Sequence, residues 1–290
     1  MGGLSHLDGL DIAGISMQLI SPRPNQMIHS QKPGEIVIWY TQASNDLVAR
    51  YIAIWPDRFV GIASIPQISG EPLVHAVTEL ERCINKLKFK GFILNPDPYE
   101  NSGTEPPPLW DKYWYPIYET ASNLGVPCYL HATGRPSNRE YFNHYYIHEE
   151  SVAVLAFICS DVLENFPDLK IIAPHGGGSV PYQIGRYLAG ERAGKQRDFI
   201  SRMKKIYFDS VLHNLASVEY LLKTIGVDNC IYGTEWPGLG SVTDTDNGKT
   251  MDNLAQGIKE FDWLSKNELE KFFSRNAIEL FKLGPVERNC

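Results

Sequence analysis

Four side chains with acid–base or metal-binding chemistry close short apolar runs along this chain. They are His131 after VPCYL, His175 after LKIIAP, His213 just beyond IYFDSV, and Glu235 after NCIYGT. Apolar runs of this length bounded by turn signals read as buried strands. Three imidazoles and a carboxylate at the ends of four strands suit a metal centre or a general acid–base pair. His175 and Glu235 offer nitrogen and carboxylate oxygen, donors that fit zinc or manganese. Gly176, Gly177 and Gly178 follow His175, and they permit a sharp turn and close backbone approach to a ligand. Two further strand ends carry polar groups, Arg23 and the Asn95–Asp97 turn. Taken singly, each residue also has a plainer reading: a bond to a neighbouring loop, an exposed turn, an ion pair between Glu235 and Arg186, or a helix-blocking Asn-Pro-Asp-Pro turn. The set is more informative than its members. The remaining histidines receive no chemistry. His75 lies mid-helix, His29 in a polar loop and His6 ahead of any strand, and the pair His144 and His148 lacks a third ligand nearby.

The elements that must position this set alternate. Strand runs span Leu10–Ile20, Phe59–Pro66, Phe89–Asn95, Val126–His131, Leu169–His175, Ile206–Val211 and Asn229–Glu235. Helical patterns span Trp39–Trp55, Pro72–Lys88, Trp110–Leu124, Ile147–Phe166 and Leu215–Ile225. Alternation of this kind predicts a parallel sheet whose strand ends share one functional rim. The fold class is α/β, a TIM-barrel-like (β/α)8 arrangement in one domain over residues 1–290. Only seven strand–helix units are visible, so the expectation is a barrel without its first strand, which would fall before residue 10. An open doubly wound sheet is the alternative.

With 43% hydrophobic residues and a net charge of −7, the chain has a large core and no electrostatic case for nucleic acid or anionic membrane as a partner. No apolar run reaches the ~18 residues of a spanning helix. The first residues lack the pattern of a signal peptide, and His6 stands where a myristoylation signal has Ser or Thr. Five widely spaced cysteines with no CxxC pair predict reduced thiols in a cytoplasmic protein.

The segments ELERCINKLKFKGFILNPDP, IIAPHGGGSVPYQIGR and YFDSVLHNLASVEYLLKTIGVDNCIYGTEWPG resemble the amidohydrolase-related family of metal-dependent lyases and hydrolases, from about residue 10 to residue 283. The LNPDP turn, the HGGG and the glutamate of YGTEWPG lean towards its hydratases, which act on small unsaturated oxo-di- or tricarboxylates such as 4-oxalomesaconate. Its decarboxylases, of the aminocarboxymuconate-semialdehyde and resorcylate types, are the alternative. By position, the resemblance implies that His175 and Glu235 are metal ligands, for zinc first and manganese second. It makes His213 the acid–base residue and sets His131 against bound water or substrate. Arg23, Tyr182 and Arg186 would grip substrate carboxylates, for which a guanidinium fork is suited, and Asn95 would add a hydrogen bond. A homodimer is implied on the same ground. The family's first strand carries a His-x-His ligand pair with no counterpart here. The resemblance therefore implies an incomplete metal site, in a chain that starts late or in a catalytically impaired remnant.

Overall fold

A computed structural model describes residues 5–100, 102–133, 139–194 and 198–284. Helix α1 (His6–Ile12) opens on a capping box in which Ser5 and Asp8 satisfy each other's backbone N–H groups. A turn at Gly14 (φ 69°) follows, and strand β1 is confined to Gln18–Ile20. The strand expected over Leu10–Ile20 is thus helix in its first third, because the capping box extends the helix through apolar residues that equally suit a strand. Helix α2 (Glu35–Ile54), strand β2 (Phe59–Ser64), helix α3 (Val74–Asn85) and strand β3 (Gly91–Leu94) follow in order. After them come helix α4 (Tyr115–Leu124), closed by Gly125 in the left-handed region, and strand β4 (Cys128–Leu130). Helix α5 (Phe142–Ile158) starts before the expected Ile147 and breaks at Cys159; the rest of that run forms the single turn α6 (Val162–Asn165). Strand β5 (Ile171–Ala173), helices α7 (Ile184–Arg192) and α8 (Phe199–Met203), strand β6 (Ile206–Asp209), helix α9 (Leu215–Ile225) and strand β7 (Cys230–Ile231) complete the sheet. The tail adds α10 (Ala255–Lys259), α11 (Lys266–Glu270) and α12 (Asn276–Leu280).

All six strand pairings are parallel and run in sequence order, β1 to β7. A doubly wound sheet reverses its strand order at a switch point; this one does not, so the alternative topology is excluded. Alternate residues point to opposite faces. Ile62, Ile93, Ile172 and Ile231 meet in one cluster that Leu280 and Phe281 close. Side chains from β2 and β7, five strands apart, pack together only if the sheet curls round on itself. The outward-facing Ala63, Phe92, Cys128, Ile171, Ile206 and Cys230 join the larger core beneath the helices.

The curled sheet is bridged across its open side. His6 of α1 meets the Gln18 amide oxygen at 2.8 Å, and the Gln18 amide donates to the Trp236 carbonyl beyond β7 at 2.9 Å. Gly9 permits the approach, since a Cβ there would lie 2.2 Å from the Trp236 indole. Cys83, Cys128, Cys159 and Cys230 are not in disulfides, while Cys290 lies outside the described residues. No described helix is long and apolar enough to cross a membrane.

Candidate active site

The parallel strands deliver His131, His175, His213 and Glu235 to the same rim, and two acidic residues from outside the sheet lock them. His131 follows β4 directly. Its Nδ1 donates to the Ala132 carbonyl at 2.7 Å, which leaves Nε2 as the lone-pair nitrogen. Burial, with the neighbouring His175 charge, holds His131 below the usual imidazole range against the pull of Glu150. His175 follows β5 with φ 46°, and its ring centroid is 5.4 Å from that of His131. Its Nδ1 lies 2.7 Å from Oε2 of Glu150, a fully buried carboxylate on α5. Burial works against a charge on His175. The Glu150 hydrogen bond outweighs it, with the charges of Glu150, Asp209 and Glu235 adding to it, and leaves the group up at about 9. The glycines after His175 seat this corner. A Cβ at Gly177 would meet the Phe208 ring at 2.6 Å, and one at Gly178 would meet Ser151 Oγ at 2.4 Å.

His213, at φ 53° beyond β6, sits between two carboxylates. Nδ1 donates to Asp252 Oδ1 at 2.7 Å, and Nε2 faces Glu235 Oε2 at 3.2 Å. These two hydrogen bonds, Asp252 first, raise it to about 9. Burial disfavours charge on Glu235, but His213, His175 and His131 together hold it below the usual carboxylate range. Asp209, at the end of β6 and 1% exposed, accepts hydrogen bonds from the Tyr129 hydroxyl, Gly176 N and Val211 N. It thereby ties β4, the glycine loop and the β6 turn to one carboxylate, although burial raises its own pKa.

The expected carboxylate grips are not brought to this cluster. Tyr182 is 76% exposed, with its ring against Tyr220 of α9. Arg186 on α7 and Arg23 after β1 are both exposed. Asn95 is 1% exposed and its amide is engaged in hydrogen bonds. Oδ1 accepts from Asp97 N, and Nδ2 faces the Asp97 carbonyl, Glu100 and Thr133. It ties that loop to the segment that follows β4. Sequence reasoning missed Glu150, Asp209, Tyr129 and Asp252. Asp209 alone carried a signal, as the polar end of the IYFD strand.

A family profile described as Amidohydrolase matches residues 3–283. The chain belongs to the amidohydrolase family. It is 31% identical over 270 residues to 2-keto-4-carboxy-3-hexenedioate hydratase from Sphingobium sp., covering 92% of this chain and 79% of that one. It is 27% identical over 288 residues to 2-amino-3-carboxymuconate-6-semialdehyde decarboxylase from Dictyostelium discoideum, covering 93% and 74%. The crystal structure of 4-oxalomesaconate hydratase from Rhodopseudomonas palustris superposes with a TM-score of 0.83 at 28% identity, covering 96% and 80%. Two solved decarboxylases of this fold hold manganese.

A resident metal is poorly matched by the donors on this rim. Among the described residues no three His, Cys, Asp or Glu side chains are grouped to hold an ion, and a catalytic zinc keeps about three protein ligands. His175 Nδ1 is bonded to Glu150, and Glu235 is bonded to His213.

Proposed function

We propose that this chain is a lyase that hydrates a small unsaturated oxo-di- or tricarboxylate of the 4-oxalomesaconate kind. One observation carries the reading: two imidazoles 5.4 Å apart have surroundings that drive their protons in opposite directions. A split pair of this kind suits addition of water across a conjugated double bond. His131, neutral with Nε2 free, takes a proton from the attacking water. The water oxygen bonds to the alkene carbon β to the carbonyl, and the π electrons move onto the α carbon and its oxo group. His175, kept charged by Glu150, delivers a proton to the α carbon. Exchange with solvent then returns His131 and His175 to their starting states. This division differs from the one implied by resemblance. With both ring nitrogens on carboxylates, His213 holds Glu235 in place, and no step runs through a metal. The free cysteines support a reducing compartment, the cytoplasm.

Decarboxylation is the second reading, favoured by the identity to the Dictyostelium decarboxylase. There the C–C bond to the carboxylate breaks, CO2 leaves, and His175 protonates the carbon left with the electron pair. The test is to incubate the purified chain with 4-oxalomesaconate and, separately, with aromatic carboxylates. Loss of the conjugated ultraviolet absorbance without CO2 supports hydration, and CO2 release from the aromatic acids supports the second reading. His131→Asn and His175→Asn each lower turnover by about 100-fold or more. Unchanged turnover in both variants refutes the acid–base assignment.

A further inference from the structure

Beyond β7 the chain makes an excursion that returns at Asp252, and this residue belongs to no strand end. The excursion is pinned as a narrow hairpin. Thr243 bridges antiparallel to Thr250, Met251 N donates to the Val242 carbonyl at 2.9 Å, and Asp252 N donates to the Gly240 carbonyl at 3.0 Å. Asp252 is 7% exposed, and its two carboxylate oxygens do separate work. Oδ1 accepts from His213 Nδ1, while Oδ2 accepts from the backbone N–H of Glu235. The carboxylate therefore fixes the ring that bonds the Glu235 side chain and the backbone from which that side chain springs. Gly240 leaves the necessary space, since a Cβ there would lie 1.5 Å from Oδ2 and 2.0 Å from Cγ.

We propose that Asp252 is a positioning residue: by accepting one hydrogen bond from His213 and one from the Glu235 amide, it fixes where the Glu235 carboxylate stands relative to His131 and His175. The catalytic part of this proposal rests on the lyase reading above; the geometric part does not. An aspartate accepts through both oxygens, whereas an asparagine of the same shape has one acceptor and presents an NH2 to the second donor. Asp252→Asn therefore keeps the packing and breaks the clamp. A residue with a packing role only would tolerate that change.

The experiment compares Asp252→Asn, Asp252→Ala, Gly240→Ala and the exposed hairpin variant Lys249→Ala in the full chain. The first readout is the 15N-histidine NMR spectrum, in which a carboxylate-bonded imidazole N–H of His213 gives a low-field proton. The second is kcat and KM for hydration. Asp252→Asn and Asp252→Ala lose the low-field proton, and kcat falls by up to about 100-fold, the scale on which a small misplacement of a group beside the reacting residues acts, with KM within about twofold. Gly240→Ala reproduces the loss by pushing the carboxylate aside while leaving it chemically intact, and Lys249→Ala matches the wild type in both readouts. If Asp252→Ala fails to fold, the isosteric Asp252→Asn decides. An Asp252→Asn protein with the wild-type proton and wild-type kcat overturns the proposal, as does a Gly240→Ala protein indistinguishable from wild type. A wild-type chain that hydrates none of the substrates refutes the lyase reading instead, and the NMR signal still decides the clamp.

Discussion

Acidification from pH 7 to pH 5 acts in opposite directions on two buried neighbours beside the β3 loop. His29 is 3% exposed with no hydrogen-bond partner at Nδ1, and burial pushes it down to about 3 from an ordinary 6.5. It is neutral when folded. The unfolded chain takes up a proton as the pH falls through 6.5, so stability is lost from there down to about pH 3. Glu100 runs the other way. Burial first, with the Asp97 charge adding to it, lifts Glu100 to about 7 from an ordinary 4.5, against hydrogen bonds from Asn95 and the His29 backbone. The folded carboxyl takes up its proton before the unfolded one, so stability is gained as the pH falls from 7 to 4.5. At roughly 1.4 kcal/mol per pKa unit, each effect amounts to about 2 kcal/mol over this interval, and in the wild type they largely offset one another. Glu100→Gln removes only the gain, so its unfolding free energy falls by about 2 kcal/mol more than the wild type's between pH 7 and pH 5. His29→Leu removes only the loss, and its unfolding free energy rises by about 2 kcal/mol relative to the wild type. Groups such as His175 titrate alike in all three proteins and cancel in the differences. Urea unfolding followed by tryptophan fluorescence at pH 5, 6 and 7 measures these quantities. Three parallel pH dependences refute the reasoning.

Glu150→Ala removes the carboxylate that holds the charge on His175, so the buried ring turns neutral and loses its Nδ1 partner; the loss of stability is about 1–3 kcal/mol, read as a lowered urea midpoint, and an unmoved midpoint shows that the pair is not formed. Gly9→Ala drives a methyl group into the Trp236 indole that α1 rests on and costs about 1–3 kcal/mol by overpacking. A melting temperature within a degree of the wild type would mean that α1 does not bridge the open side of the sheet.

The strand order and the shared rim were legible because both follow from period and punctuation. Each strand is a short apolar run that ends in a polar residue, and right-handed crossovers between parallel neighbours put those ends on one side. His131, His175, His213 and Glu235 were found on that logic alone. What it does not reach is anything contributed from outside a strand. Glu150 lies in a helix beside Glu149, His148 and Ser151, where nothing in the local sequence sets its carboxylate apart, and its partner is 25 positions away. Asp252 stands in a polar stretch rich in Asp, Asn and Thr, where nothing local marks one carboxylate as buried. The exposure of Arg186 and Tyr182 was not legible for a related reason. They follow the glycine loop closely in sequence, but the turn through Pro181 carries them onto exposed helical surface, where the Tyr182 ring lies tilted against Tyr220.

The roles of the histidines were the least legible part, because an imidazole's role is set by its partners rather than by its position. His131, His175 and His213 are equivalent as strand-end residues. They diverge once one is bonded to a carbonyl, one to a buried carboxylate and one to two carboxylates. Burial keeps His131 neutral with its Nδ1 on a backbone carbonyl, a single ion pair leaves His175 charged with a nitrogen free to act, and two ion pairs leave His213 charged with none free. The same three residues on the same strands with Glu150 moved to face His131 would exchange the acid and the base.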